Sequence, residues 1–249
     1  MKTVALIPAR YDSQRFPGKL MKKLGEKTVI LKTYQAAESS QLFDDVYVIT
    51  DSDIIYNEIS SNKGKVLKSK KKHTTGTDRI AEFANEIDAD VFINIQGDEP
   101  FINKKALSQL IDVFKEDKRL KIDIASLMIS IKKPSEIANP NNVKVVVDKN
   151  NFALYFSRAP IPFNRDLNFS FAYKHIGVYA FRKIALKEIS KLSASKLEKI
   201  EKLENLRFLE NGMKIKMIET DIINFGIDTM EDLEAAINYL KNERDEQMD

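Results

Sequence analysis

Cysteine is absent from this 249-residue chain, so disulfides, zinc–thiolate centres and thiol nucleophiles are excluded. Histidine is nearly absent: only His73 and His175 occur, which rules out a polyhistidine metal centre. Any metal is then expected to be a hard cation held by carboxylates. An excess of charge of one sign is also missing, because 40 basic residues stand against 37 acidic ones for a net charge of +3. That balance argues against a dedicated nucleic-acid binder, and the single run Lys68-Ser-Lys-Lys-Lys-His73 reads as a solvated loop. No apolar segment reaches membrane-spanning length, and Met1-Lys2 leads straight into a strand rather than a signal peptide, so the expectation is a cytoplasmic protein. Neither an internal repeat nor a low-complexity segment is present.

The apolar run Val4–Ile7 predicts a buried strand of a parallel sheet, ending at Pro8, which has no N–H to donate. The loop that follows carries Arg10, Arg15 and Lys19, punctuated by Pro17-Gly18. Cations at the carboxyl end of a first strand stand where open α/β sheets bind ligands, so an anionic ligand such as a triphosphate is expected there. A nicotinamide enzyme would need Gly-x-Gly-x-x-Gly at this place, and residues 8–18 do not provide it.

Strand and helix then alternate. A helix with Val29, Ile30, Thr33, Tyr34 and Ala37 on one face precedes a strand over 45–50, a helix over 53–60 and a short strand over 65–67. Thr75 and Asp78 have capping-box spacing for a helix with Ile80, Phe83, Ala84 and Ile87 inward. A strand over 90–95 runs into Gln96-Gly-Asp-Glu-Pro100, and Asn103 caps a helix whose face is Leu107, Leu110, Ile111 and Phe114. From Lys121 strands dominate, over 122–131, 143–148, 151–157 and 172–181, with a hairpin turn at 148–151. A helix from Lys183, a longer one over 195–211 stopped by Gly212, a strand over 214–219 and a last helix capped by Thr229 complete the chain. The last helix should bury Leu233, Ala236, Ile237 and Leu240, with a polar tail fraying from Asn242.

The expected fold class is α/β, a doubly wound and mostly parallel nucleotide-binding sheet of Rossmann-like type with a smaller mixed α+β part. The expected organisation is one domain over 1–249: a nucleotide-binding half (1–120), a less regular second half (121–225) and a helix over 226–241.

Two carboxylates stand out. Asp98 follows Gly97 directly after an apolar strand, at the sheet edge where the basic loop should also lie, and a Mg²⁺ between carboxylate and phosphate would reconcile the opposite charges. Asp228 precedes the last helix, where an Asp by itself is an ordinary cap or dipole partner. Arg158, and His175 with Tyr179 four positions on in one strand, are suited to gripping an acidic, hydroxylated ligand.

The opening Ile7-Pro-Ala-Arg-Tyr-Asp-Ser-Gln-Arg-Phe-Pro-Gly-Lys19 resembles the signature of the CMP-Kdo synthetases (3-deoxy-manno-octulosonate cytidylyltransferases), with Gln14 and Phe16 in place of Thr and Leu. Asn94-Ile-Gln-Gly-Asp-Glu-Pro100, Thr75-Gly-Thr-Asp-Arg79, Ala153-Leu-Tyr-Phe-Ser-Arg-Ala159, Lys174-His-Ile-Gly-Val-Tyr179, Leu197–Arg207 and Gly226-Ile-Asp-Thr229 are similar to further blocks of that family in the same order. The resemblance implies the reaction CTP + Kdo → CMP-Kdo + pyrophosphate, serving lipopolysaccharide biosynthesis. It implies Asp98 and Asp228 as metal ligands for Mg²⁺ and, with Lys19, as the catalytic set. Arg10, Arg15, Lys19, Thr75 and Arg79 would bind the nucleotide, and Gln96, Arg158, His175, Tyr179 and Glu204 would line the pocket of the acidic eight-carbon sugar. A homodimer built from the second half is also implied. A relative acting on the 8-amino sugar, whose family tends to carry Gln where this chain has Glu99, or on another nonulosonate-like acid sugar, and a non-catalytic nucleotide-binding protein on the same fold are the alternatives.

Overall fold

The computed structural model describes residues 1–12, 16–73, 75–165, 171–221 and 226–246, the last five by backbone alone. The chain forms two compact units, one of residues 2–83, 94–104 and 224–249 and the other of Met1, 84–93 and 105–223.

In the first unit the strand Thr3–Ala9 pairs in parallel with Asp45–Thr50, from Val4↔Asp45 to Ala9↔Thr50, and Asp45–Thr50 pairs in parallel with Val66–Lys68. Val4 to Ile7 are fully buried, as a strand covered on both faces requires. The strand does not stop at Pro8: it runs to Ala9, with Pro8 in register with Ile49. A parallel ladder uses the N–H of alternate residues toward each neighbour, so one missing donor is tolerated when the pairing continues on both sides.

Helix Val29–Ser39 buries the five residues its spacing predicts, and Thr28 caps it by accepting from the Leu31 N–H at 3.3 Å. Ser52 and Thr75 accept in the same way at the starts of Asp53–Ser61 and Gly76–Ala81. Each such cap stabilises by about 1 kcal/mol. The Gly76–Ala81 helix ends sooner than its apolar pattern suggests, although Phe83 and Ala84 are still buried beyond it. The last helix, Met230–Glu246, buries Leu233 and Ala236, while Ile237 and Leu240 are partly covered. It continues past Asn242, where fraying was expected, and the final three residues lie outside the described ones.

In the second unit Ala172–Arg182 pairs antiparallel with Ile124–Ile131, which takes Ile215–Glu219 in parallel on its other side. Lys144–Val147 lies between Ala172–Arg182 and Ala153–Ser157, antiparallel to both. The expected turn is there: Asn151 has φ 58°, and Asp148 Oδ1 accepts from the N–H groups of Asn150 and Phe152, both at 2.8 Å. A short helix, Pro134–Ala138, was not anticipated. The single helix predicted over 195–211 is two, Lys196–Glu201 and Glu204–Glu210, because Lys202 adopts left-handed φ 56° and breaks the backbone ladder between them. Gly212, with φ 77°, ends the second as expected. Phe181, Phe208, Leu186 and Met128 are fully buried in this unit's core, at about 2–3 kcal/mol of burial each.

Candidate active site

The first strand's carboxyl end opens into a cavity of about 650 Å³ within the first unit. Pro8, Ala9 and Arg10 form its floor as the strand ends, and Lys19 and Leu20 enter from the loop that returns. Gly18 makes that return, with φ 67°. One side is the turn Thr75, Gly76 and Arg79, another is Gln96 to Glu99, and Gly226 and Asp228 close it from the far end of the chain.

Local contacts explain the convergence. Ile95 N–H donates to Leu6 O at 3.1 Å, which brings residues 94–98 alongside the first strand. Gly97 sits so close to that strand's end that a Cβ would lie 3.2 Å from Pro8 O and 3.1 Å from Ile30 Cδ1. Thr33 Oγ1 donates to Gly97 O at 2.9 Å and fixes the turn from below. Ile227 N–H then donates to Asp98 O at 2.9 Å, tying a segment more than a hundred residues away to the same turn. Asp232 Oδ2 accepts from the N–H groups of Asp228 and Thr229, and Thr229 Oγ1 accepts from Asp232 N–H at 3.2 Å, so the cap that starts the last helix also orients Asp228.

Lys19 Nζ donates to Asp98 Oδ2 and, at 2.8 Å, to Asp228 Oδ1. Burial alone would lower the Lys19 pKa, but the charges and hydrogen bonds of both carboxylates outweigh it and hold the pKa above the ordinary lysine value. Two carboxylates thus meet one cation, and this is the arrangement a divalent ion would need. The donors are hard oxygens, and Mg²⁺ is commonly held by one or two carboxylates completed by substrate phosphates. Among the described residues no group of three or more His, Cys, Asp or Glu side chains forms a denser metal cluster.

Arg79, 4% exposed, pairs with Asp51 at 3.0 Å. Burial works against the Asp51 carboxylate, yet Arg79 keeps its pKa below the usual range. The guanidinium therefore anchors the 75–79 turn to the end of the Asp45–Thr50 strand as well as lining the cavity. Arg10 lines the cavity and is exposed, and Arg15 lies outside the described residues. Sequence reasoning left out His73. This residue lines the cavity, and its Nε2 lies 2.8 Å from Glu82 Oε2, while Glu82 also accepts from Ser69 Oγ and Lys70 N–H. Its place at the edge of the lysine run disguised it, and only its adjacency to the 75–79 turn could have signalled a role.

Of the sugar candidates, Gln96 lies in the first unit, and Arg158, His175, Tyr179 and Glu204 lie in the second. His175 and Tyr179 share a face despite a bulge between Ile176 and Tyr179, with ring centroids 5.4 Å apart. His175 Nε2 is 2.9 Å from Ser126 Oγ, and Phe156 packs edge-on against its ring. Burial pushes the His175 pKa down to about 4, and burial with the Glu204 charge raises the Tyr179 phenol well above its usual value. Both rings are therefore neutral hydrogen-bonding groups near pH 7. Arg158 is held from behind: its Nε donates to Glu201 O at 2.8 Å and its Nη1 to Pro140 O at 3.0 Å.

A family described as Cytidylyltransferase matches residues 4–215. The 3-deoxy-manno-octulosonate cytidylyltransferase of Flavobacterium johnsoniae is 56% identical over 243 residues, covering 97% of this chain and all of that protein. That of Christiangramia forsetii is 53% identical over 240 residues, 96% of this chain and 97% of its own length. Among solved structures, CMP:2-keto-3-deoxy-manno-octonic acid synthetase complexed with CTP superposes with a TM-score of 0.91 at 35% identity, covering 98% of this chain and 100% of that one. The 4-diphosphocytidyl-2C-methyl-D-erythritol synthase of Anaerococcus prevotii, at 18% identity and a TM-score of 0.63 over 96% of this chain and 98% of that one, shares the fold.

Proposed function

The chain belongs to the cytidylyltransferase family, and from that premise we propose that it transfers the cytidylyl group of CTP to 3-deoxy-manno-octulosonate, giving CMP-Kdo and pyrophosphate. The observation that carries the reading is the meeting of Lys19, Asp98 and Asp228 at one end of the 650 Å³ cavity. A cation between two acids, beside Arg10 and a turn closed by Thr75, is suited to a triphosphate whose α-phosphorus must be reached by a nucleophile.

In this reading the anomeric hydroxyl of the sugar attacks the α-phosphorus in line and releases its proton to solvent, while the bond from the α-phosphorus to the oxygen bridging to the β-phosphorus breaks and pyrophosphate leaves with the electron pair. Lys19 and Arg10 hold and neutralise the triphosphate and the leaving group, which is electrostatic stabilisation without a covalent enzyme intermediate. Asp98 and Asp228 would hold Mg²⁺, which when bound supplies further neutralisation of the charge developing on phosphoryl oxygens. Arg158 would pair with the sugar carboxylate through its planar fork, while His175, Tyr179, Gln96 and Glu204 would hydrogen-bond sugar hydroxyls. We assign the finer biology to the same reading: a cytoplasmic enzyme, since CTP is an intracellular substrate, acting as a homodimer. Leu154, Phe163, Ile184 and Ile200 in the second unit, exposed by 61%, 85%, 68% and 67%, are apolar side chains that such a contact could cover. Among the described residues no helix is long and apolar enough to cross a membrane.

The test is pyrophosphate release by the purified protein with each nucleoside triphosphate crossed against Kdo, its 8-amino analogue and N-acetylneuraminate. Release is expected with CTP and Kdo as the preferred pair. A preference for another sugar would transfer the assignment to that acid, and no release with any pair would leave a nucleotide-binding protein.

A further inference from the structure

Lys144 is the second unit's most unusual residue: a lysine in a valine strand with no exposed surface at all. Among the described residues its ammonium meets no carboxylate at hydrogen-bonding distance. It donates instead to three backbone carbonyls, those of Arg158 at 2.5 Å, Asn142 at 2.6 Å and Asn139 at 3.0 Å. An ammonium has three protons, and these three acceptors satisfy all of them. Burial, followed by the Arg158 charge, lowers the Lys144 pKa, while Glu201 opposes the shift.

The acceptors are the reason to look further. Arg158 O is one of them, and Asn139 and Asn142 flank Pro140, whose carbonyl takes the Arg158 Nη1 proton at 3.0 Å. The Lys144 strand pairs Lys144 with Ser157, immediately before Arg158, and on its other edge Val143 O accepts from His175 N–H at 2.8 Å. Glu201 completes the ring, with Oε1 accepting from Ser157 Oγ at 2.6 Å and Oε2 from Arg158 N–H at 3.0 Å. Lys144 thus bonds both the peptide that carries Arg158 and the loop against which the guanidinium rests.

We propose that Lys144 is a positioning residue for the acid-sugar pocket: its ammonium, gripping the carbonyls of Arg158, Asn139 and Asn142, sets the guanidinium of Arg158 for the substrate carboxylate and keeps a second positive charge behind it. This rests on the reading of Arg158 as the carboxylate-binding residue. Among the described residues, Lys144 and Arg158 stand against the acid Glu201, and that balance of charge favours an anionic substrate.

The experiment measures both KM values and kcat for Lys144→Met and Arg158→Ala beside the unaltered enzyme, with thermal unfolding as a folding check. Lys144→Met keeps the side chain out to Cε and removes the ammonium with its charge and donors. Its KM for the acid sugar should rise about tenfold or more, with the KM for CTP and kcat at saturating sugar within about threefold. The double variant should be little worse than Arg158→Ala alone, because the two act as one unit. Equal rises in both KM values would mark a merely structural lysine and overturn the proposal. If Arg158→Ala raises the sugar KM and Lys144→Met does not, the proposal alone falls; if Arg158→Ala also leaves the sugar KM unchanged, the assignment of Arg158 falls with it. Should Lys144→Met fail to fold, Lys144→Ala is assayed with added propylammonium, which replaces the missing chain and charge. Recovery of the sugar KM supports the proposal, and no recovery at any concentration overturns it.

Discussion

One cation site in each unit shows a different way of holding positive charge. In the first, Lys19 is answered by the carboxylates of Asp98 and Asp228, drawn from segments far apart in the chain. In the second, Lys144 and Arg158 are answered chiefly by backbone carbonyls, with Glu201 the acid of the cluster. Side-chain acids can trade one cation for another, so the first arrangement suits a site that takes up a metal and a polyphosphate and then releases them. Carbonyls cannot leave their strands and loops. The second arrangement suits a pocket whose shape must be the same before and after the sugar arrives, since a pre-organised guanidinium spends less binding energy on ordering.

The comparison breaks first at Asp98. Replacement by Asn keeps a hydrogen-bonding side chain against Lys19 but removes one of two acids, and CMP-sugar formation should fall by at least about a thousandfold while thermal unfolding is little changed. Near-normal turnover of Asp98→Asn with Mg²⁺ would mean that the acids of the first unit are structural, like the carbonyls of the second.

A smaller effect sharpens the second unit's side. His175 binds its proton only near pH 4 when folded but near 6.5 when unfolded, so the unfolded chain takes up more protons between those values. Stability should therefore fall as pH drops from 6.5 toward 4, and His175→Gln should remove that part of the slope in a pH series of thermal unfolding. An unchanged slope would mean that the imidazole is hydrated and not locked among Ser126, Phe156 and Tyr179. Smallest is Thr75→Ala, which removes the cap at Asp78 N–H and should cost about 1 kcal/mol of stability in urea unfolding.

Legibility followed the same division. Helix Val29–Ser39 could be read from residue spacing because it has one buried face and a local cap, and strand Asp45–Thr50 because it is a short, mostly buried apolar run. The meeting of Asp98 and Asp228 came from motif resemblance, since nothing in spacing joins residues so distant. Lys202 could not be foreseen, because lysine carries no mark of a left-handed backbone and the apolar pattern runs across it. Pro8 misled by the opposite route: its missing donor was given more weight than the register on either side. The Lys144 cluster escaped notice since its acceptors are peptide groups, which every residue has. A lysine set among Val143, Val145, Val146 and Val147 was the available sign.

The hydrogen bond from Ile227 to Asp98 has a bearing on how the enzyme comes into being during translation. The strand Thr3–Ala9 can pair with Asp45–Thr50 while the ribosome is still at work, yet Asp228 emerges more than a hundred residues after Asp98. A nascent or prematurely terminated chain lacking residues after 225 could build its early strands and still be inert. Competence would then switch on only once the segment carrying Asp228 has been made and has docked on Asp98.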